Sequence, residues 1–340
     1  MSAVQRSTTC PPGWAESVKS PRQTSAFADA MRTMGYQPVY LWDGARAGLG
    51  LLRGDVPGLR RLTARANVLV DRSDPDFVAG VLKTLAAAGI AHVKVGDTTW
   101  GLDWTSLPAA WPFPRTKTIQ RHTFVLDLAA DDKALLKGMD GAERKIRKAE
   151  REGIEVREVR TAEDLAAYCA LSRETGDRVR ARTAFTDYPA SFFEAIHKTL
   201  VPAGLARFYL GWCGDQPLAG CLFLCSQDTM LYYLGGSSRD RALTAKQAPA
   251  AVFWRAIRDA RGLGMSRFDF GGCTPTEDES DPRYGVYNFK KRWGGRLETF
   301  LNLEVVLAPA AHYVQEKVLS PLWDRMHPLY FRLMSLRQRA

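Results

Sequence analysis

The chain has 340 residues, of which 46% are hydrophobic and 25% are charged, so its composition is typical of a globular protein and excludes a disordered one. Its length predicts two domains of ordinary size, or one large composite domain. The formal net charge of +10 favours polyanionic partners such as nucleic acid, anionic lipid or phosphorylated substrates. A basic protein without such a partner is the alternative.

The six cysteines are dispersed, none lies in a CxxC pair, and the five histidines are not near them. This pattern predicts free thiols in a reducing cytoplasm and no metal centre. The first residues lack the apolar run of a secretory signal, and no apolar stretch is long enough to span a bilayer. We therefore expect a cytoplasmic protein that would meet a membrane only at its surface.

The first 100 residues predict a helix followed by the order β-β-β-α-β. Asp43-Gly44 forms a hairpin turn, while Pro75 and Gly89 mark the two ends of the second helix. The predicted helices cover 24–35 and 74–88, and the predicted strands cover 39–42, 49–53, 67–70 and 92–95.

From residue 123 onward, the pattern predicts an order of elements that resembles a GNAT-type acyltransferase unit. The predicted strands cover 123–128, 154–157, 206–212, 218–226, 230–235, 267–270 and 297–307. The predicted helices cover 135–149, a segment from 161, 188–200, 244–262 and 284–293. Because the first half resembles a reduced copy, we predict an α+β fold of two tandem GNAT-like units with mixed sheets flanked by helices. These units would cover 14–130 and 131–308, and a helical tail would cover 309–340.

The segment 233–245 joins a predicted strand to a helix. In acetyl-CoA enzymes the matching turn is Gly-rich, and its backbone N–H groups hold a pyrophosphate at a helix N-terminus. Here the glycines precede the turn and Arg241 lies where the loop should bend. A CoA-binding loop and an ordinary connection both remain open.

Two neighbouring motifs carry the most specific signal. The sequence DFGG at 269–272 is followed, after an acidic loop, by GVYNFKKRWG at 285–294. A basic helix, RKIRKAEREG, lies upstream at 144–153, and Gln23 and Phe27 lie near the start. Together these features resemble the FemABX family of aminoacyltransferases over about residues 22–307.

The resemblance implies transfer of an amino acid from aminoacyl-tRNA to an amine of a peptidoglycan precursor or a related acceptor, forming an amide. It implies a monomer with no cofactor besides the tRNA co-substrate. An acyl-CoA-dependent N-acyltransferase on the same scaffold is one alternative. A non-catalytic homologue that binds tRNA or another ligand is the second.

By the same resemblance, the ammonium of Lys290 would stabilise the oxyanion, and Phe289 would pack beside the acceptor. An acid on the following strand would hold that ammonium charged, with Glu304 as the best match and Glu298 as the competitor. A solvated basic turn is the alternative reading of this segment. The expected substrate-binding residues are Arg32, Arg182, Tyr188, Tyr233, Arg241, Asp269, Gly271 and Gly272.

Two basic segments have open interpretations. The cations at 144–151 either follow a phosphate backbone or form a solvated face, since acidic residues share the helix. The tail at 314–339 alternates apolar and basic residues. It either packs on the first unit or makes peripheral contact with the inner face of an anionic membrane.

Overall fold

The computed structural model describes residues 3–18, 20–54, 64–70, 74–97, 101–180, 188–319 and 321–322. The chain divides into two compact units. The first comprises Met1–Ser17, Gly35–Ile119 and Leu301–Ala340, and the second comprises Val18–Met34 and Gln120–Phe300. Within the described ranges, no helix has the length and apolar character needed to cross a membrane.

The elements follow the predicted order closely. The strands are β1 (Gln5–Ser7), β2 (Gln37–Trp42), β3 (Ala47–Gly54), β4 (Ala64–Val70), β5 (His92–Val95), β6 (Thr116–Asp127), β7 (Ile154–Glu158), β8 (Ala206–Cys213), β9 (Gln216–Cys225), β10 (Thr229–Ser237), β11 (Arg267–Cys273) and β12 (Arg296–Val306). The helices are α1 (Trp14–Ser17), α2 (Ser25–Thr33), α3 (Pro75–Ala87), α4 (Asp132–Gly138), α5 (Ala142–Arg151), α6 (Ala162–Arg180), α7 (Ala190–Thr199), α8 (Arg241–Thr244), α9 (Ala248–Gly262), α10 (Tyr284–Lys291) and α11 (Pro309–Val314).

The sheet of the first unit has the order β1-β2-β3-β4-β5, and the end of β12 pairs antiparallel with β5. Strands β4 and β5 are parallel and are connected through α3. Asp74 caps this helix by accepting the N–H of Phe77, and Pro75 occupies its first turn, as the sequence predicts. The apolar face of α3, including Phe77 and Leu85, is fully buried in the core of this unit.

The sheet of the second unit has the order β6-β11-β10-β9-β8-β7, in which only the β10–β11 pair is parallel among the described pairings. Helix α9 connects these two strands and buries Phe253 and Ile257. Phe253 contacts the rings of Phe223 and Phe268 at centroid distances of 5.7 and 6.2 Å. This aromatic core fixes the positions of β10 and β11, on which the candidate site lies.

The observed boundaries of the units differ from the predicted ones. Helix α2 belongs to the second unit, where it packs on α7 and buries Phe27 and Met31. The second unit begins at Gln120 rather than 131, because β6 pairs with β11. Residues from Leu301 return to the first unit, because the end of β12 pairs with β5.

Two further segments refine the sequence interpretation. The predicted helix at 135–149 is two helices, α4 and α5, separated at Gly141, whose φ of +78° lies in the left-handed region. The described part of the tail packs on the first unit, where His312 stacks on His92 at a centroid distance of 4.8 Å. The remainder of the predicted tail, from 323 onward, lies outside the described residues.

Candidate active site

Lys290, near the end of α10, is a buried cation that is only 5% exposed. Its Nζ atom donates hydrogen bonds to the carbonyl oxygens of Gly271, at 2.9 Å, and Gly272, at 2.8 Å. A lysine ammonium has three hydrogens, so these two carbonyls leave one for another acceptor. This burial excludes the reading of the segment as a solvated basic turn.

The two carbonyls are available because β11 is irregular at this point. Its pairing with β6 shifts register between Asp269 and Gly272, and Gly271 has a φ of +74°. A glycine in the left-handed region is the usual first residue of a G1 bulge, which bends the strand and interrupts the ladder. The DFGG sequence therefore builds the backbone receptor for the Lys290 ammonium.

The ammonium also lies where two parallel strands separate. The β10–β11 pairing covers Thr229–Leu231 and Arg267–Asp269, and the two strands continue beyond it without further pairing in the described ladder. Nζ of Lys290 lies 5.6 Å from the ring centroid of Tyr232 on β10. The ammonium thus contacts both strands just beyond their last paired residues, and a fixed cation there suits the binding of a polar carbonyl substrate.

Burial governs the ionisation of this site. It lowers the pKa of Lys290 to about 8, although the nearby Cys273 and Asp269 act in the opposite direction. Burial also raises the pKa of Asp269, although its carboxylate accepts hydrogen bonds from the hydroxyl of Thr123 and from the N–H of Gly271. At neutral pH the ammonium form of Lys290 still predominates.

The structure does not bring the predicted acidic partners to Lys290. The carboxylate of Glu304 lies 3.1 Å from Nε2 of His92 and 3.4 Å from Nζ of Lys94, because Glu304 is opposite Lys94 in the β12–β5 ladder. Asp269, which the sequence indicates as a substrate-binding residue, is the carboxylate that acts on the Lys290 charge.

Glu298, the competing candidate, is also engaged elsewhere. Its carboxylate lies 2.8 Å from the Arg267 guanidinium and 2.7 Å from that of Arg296. Both carboxylates are thus paired with other side chains, since strand register decides which side chains become neighbours.

Phe289 is half-buried and packs against Phe253 of α9, with a centroid distance of 5.2 Å and a T-shaped arrangement. Trp293 stacks on Phe270 at 5.7 Å and is 2% exposed. These rings clamp α10 onto β11, which holds Lys290 in place. The predicted contact of Phe289 with an acceptor remains a prediction.

The glycines that follow Trp293 have a steric role. Gly294 has a φ of +76°, and a Cβ there would lie 2.5 Å from the carbonyl oxygen of Gly138. A Cβ at Gly295 would lie 3.0 Å from the backbone of Val125 on β6. The chain after α10 therefore approaches two other backbone segments so closely that side chains do not fit.

Tyr233 on β10 lies in a second cluster, which contains aromatic rings and a buried cation. Its ring centroid is 6.4 Å from that of Tyr188 and 6.1 Å from that of Phe27. The Arg22 guanidinium lies 5.4 Å from the Tyr233 centroid and 5.8 Å from that of Phe27, and Arg22 is only 5% exposed. The predicted residues Tyr188 and Tyr233 are thus brought together.

Sequence reasoning overlooked Arg22 and selected Arg32. Arg32 is on the exposed face of α2, where its side chain pairs with Asp29 at 3.2 Å. The sequence did contain one signal for Arg22, which is its position directly before Gln23 and near Phe27. Both of these neighbours are fully buried in the structure. Arg182, the other predicted cation, lies outside the described residues.

Arg241 is the exposed first residue of α8, a helix of a single turn. The carboxylate of Asp240 accepts the N–H groups of Ala242, at 2.8 Å, and Leu243, at 3.4 Å. These are the donors that a bound pyrophosphate would need at this turn. A carboxylate already occupies them, and its charge would repel a phosphate.

Comparisons with known proteins agree with this architecture. Residues 137–291 match the family model described as an acetyltransferase (GNAT) domain. The structure of FemX has 17% identity and a TM-score of 0.67, and the match covers 92% of this chain and 100% of that chain. The C-terminal domain (DUF2156) of a putative lysylphosphatidylglycerol synthetase from Agrobacterium fabrum has 13% identity, a TM-score of 0.58 and coverages of 89% and 95%.

A conserved protein of unknown function from Bacteroides thetaiotaomicron has 9% identity, a TM-score of 0.61 and coverages of 89% and 99%. A comparison with curated proteins found no significant match. Residues 137–291 are therefore similar to a GNAT acetyltransferase domain, and the chain shares the fold of FemX. This likeness, together with the mixed sheets flanked by helices, agrees with the fold that the motifs at 269–272 and 285–294 indicated.

Proposed function

We propose that this protein is an acyltransferase that transfers an amino acid from aminoacyl-tRNA to the amine of a peptidoglycan precursor or a related acceptor. The observation that carries the proposal is the buried Lys290 ammonium at the point where β10 and β11 separate. A fixed cation there suits a reaction in which negative charge develops on a carbonyl oxygen. The shared fold with FemX and with a putative lysylphosphatidylglycerol synthetase supports an aminoacyl group as the transferred moiety.

In the proposed reaction, the acceptor amine attacks the ester carbonyl carbon of the aminoacyl-tRNA and forms a C–N bond. The third hydrogen of the Lys290 ammonium, which Gly271 and Gly272 leave available, donates to the resulting oxyanion. The ester C–O bond then breaks. The ribose hydroxyl of the tRNA leaves with the proton that the amine loses, and the product is an amide.

The turn after β10 supports tRNA rather than CoA as the donor. Asp240 occupies the N–H groups of α8 that would hold the pyrophosphate of CoA. The basic face of α5 offers cations to a phosphate backbone, although Arg147 is paired with Glu143 at 2.6 Å. Because the Asp240 carboxylate already accepts these N–H groups, a donor that binds elsewhere on the protein is favoured over CoA.

The cluster of Arg22 and Tyr233 is the candidate binding site for the acceptor substrate. A buried guanidinium beside the rings of Tyr233 and Phe27 provides charge-assisted hydrogen bonds and ring faces for a phosphorylated, polar acceptor. We propose that Arg22, with Tyr188 and Tyr233, binds the anionic part of the acceptor, a role that the sequence assigned to Arg32.

Purified protein incubated with a nucleotide-linked peptidoglycan precursor and with either labelled aminoacyl-tRNA or labelled acyl-CoA tests the proposal. We expect label in the acceptor only with aminoacyl-tRNA, and we expect the label to resist mild alkali because it is an amide. Transfer from acyl-CoA alone would establish the N-acyltransferase alternative. If aminoacyl-tRNA binds but neither donor supports transfer, and Lys290→Met binds it equally, the protein is the non-catalytic homologue.

A further inference from the structure

The first unit contains a cavity of about 490 Å³ whose lining shares no residue with the motifs of the candidate active site. Strands β4, β5, β6 and β12 contribute to its walls, together with α11 and the turn that follows it. Its lining includes four cationic side chains, which are Arg65, Lys94, Arg115 and Lys117.

Two of these cations have acidic partners and two do not. Arg65 lies 3.1 Å from a carboxylate oxygen of Glu316, and Lys94 lies 3.4 Å from one of Glu304. Arg115 and Lys117 are exposed and form no ion pair with any residue that the structure describes. The cavity therefore has an excess of two positive charges and attracts an anion.

The inner wall of the cavity includes His92 and Glu304. His92 is 2% exposed, its Nε2 atom lies 3.1 Å from Glu304, and its ring stacks on that of His312. These contacts hold Glu304 beside Lys94, with which the carboxylate forms an ion pair, whereas its interaction with Lys117 acts at longer range. Arg115 and Lys117 thus remain available at the rim.

The helical segment beside the cavity exposes apolar side chains. His312 and Glu316 of this segment line the cavity. The same segment leaves Tyr313 64%, Val314 39%, Val318 45% and Leu322 49% exposed. Exposed apolar residues concentrated beside cationic side chains are typical of a surface that contacts a membrane or a protein partner.

We propose that this face of the first unit docks on an anionic phospholipid membrane. Arg115 and Lys117 bind the phosphate of a headgroup, and the four exposed apolar side chains enter the boundary between headgroups and acyl chains. The aliphatic residues favour lipid over RNA, because RNA offers phosphates to the cations but no apolar phase to Val314, Val318 and Leu322. This site does not depend on the transfer reaction proposed for the second unit.

Flotation of the full-length protein with vesicles tests the proposal. One vesicle preparation is phosphatidylcholine alone, and the other is an equimolar mixture of phosphatidylcholine and phosphatidylglycerol. The cavity variant R115Q/K117Q is compared with K133Q/K137Q, which removes two exposed cations from α4. Leu322→Gln is compared with Leu263→Gln, because both leucines are 49% exposed.

We expect the wild type to float only with the mixed vesicles. The partition coefficient should fall roughly 25-fold in R115Q/K117Q, about fivefold for each cation near an anionic surface. It should fall several-fold in Leu322→Gln and stay within about twofold in both controls, since their sites lie outside this face. All replaced side chains are exposed, and thermal melting verifies that each variant is folded.

Binding to phosphatidylcholine as strong as to the mixture would overturn the proposal, and so would equal losses in the cavity and control variants. Binding of unacylated tRNA that weakens in R115Q/K117Q, with no vesicle binding by the wild type, would assign the cavity to RNA instead. Transfer activity is not measured in any arm, so failure here leaves the proposed reaction unaffected.

Discussion

The ammonium nitrogen of Lys290 lies 2.9 Å from the carbonyl oxygen of Gly271. It also donates to the carbonyl oxygen of Gly272, which lies 18 residues earlier in the sequence, so the two bonds join α10 to the bulged strand β11. The aromatic packing of Phe253, Phe289 and Trp293 fixes the helix. The left-handed conformation of Gly271 fixes the carbonyl. The charge is therefore held in position before any substrate binds, which is the condition for efficient stabilisation of a developing oxyanion.

Replacing Lys290 with methionine should lower the transfer rate by about 10²–10³, because the oxyanion loses its cation. The carbonyls of Gly271 and Gly272 also lose their donor, so the free energy of unfolding should fall by about 1–3 kcal/mol. Single-turnover kinetics and urea unfolding measure the two effects. Lys291→Met is the control, since Lys291 is exposed and pairs with Glu277 at 2.9 Å. An unchanged rate in Lys290→Met would remove Lys290 from the reaction.

The lowered pKa of Lys290 predicts how the transfer rate depends on pH. Transfer at saturating acceptor should decline as pH rises through about 8, because the ammonium becomes a neutral amine. Lys290→Arg should be slower at neutral pH but should lack this decline, since a guanidinium stays protonated. If wild type and variant fall in parallel above pH 8, the titrating group is not Lys290.

The lowered pKa of Lys290 also makes the free energy of unfolding depend on pH. Its pKa is lowered to about 8 in the folded state from an ordinary value of 10.5, so the unfolded state binds more protons between these values. The free energy of unfolding contributed by Lys290 should therefore rise as pH increases from about 8 to about 10.5. Urea titrations of wild type and Lys290→Met over this range should diverge in that direction.

Arg22 and Arg32 provide a matched pair of substitutions. Arg22 is buried beside Tyr233, whereas Arg32 is exposed and paired with Asp29. We expect Arg22→Met to raise the KM for a phosphorylated acceptor about tenfold or more, because a charge-assisted contact is lost, with a smaller effect on kcat. Arg32→Met should change KM less than twofold. The reverse ranking would restore the role that the sequence assigned to Arg32.

Local signals predicted the local structure well. Asp74, Pro75 and Gly89 placed α3 correctly, and the motifs at 269–272 and 285–294 identified the segments that meet at Lys290. The sequence could not place α2 in the second unit, because an apolar helix face shows that the helix is buried without showing its partner.

Long-range pairing set the limits of the prediction. Glu304 was assigned to Lys290 from its place in the sequence, but the register of β12 on β5 puts it opposite Lys94. Arg22 was overlooked because charge patterns indicate exposure by default, and a cation buried between two rings leaves no periodic signal. Both residues required knowledge of which strands and segments are neighbours.

The glycine after Trp293 allows a test of how closely α10 must be held. Gly294 and Gly264 have nearly equal φ values of +76° and +77°, but only a Cβ at Gly294 would meet another backbone, 2.5 Å from the carbonyl oxygen of Gly138. Gly264→Ala should cost about 1 kcal/mol of unfolding free energy through its backbone conformation alone. Gly294→Ala should cost about 2–4 kcal/mol, since the same strain is combined with a steric conflict.

Because that conflict would displace the end of α10, Gly294→Ala should also lower the transfer rate, whereas Gly264→Ala should leave it within about twofold. Urea unfolding and single-turnover kinetics on the same two variants separate the contributions. Equal losses of stability would mean that the close approach to Gly138 relaxes without cost. In that case, the Trp293-Gly294 segment would not be what holds Lys290 against the bulge of β11.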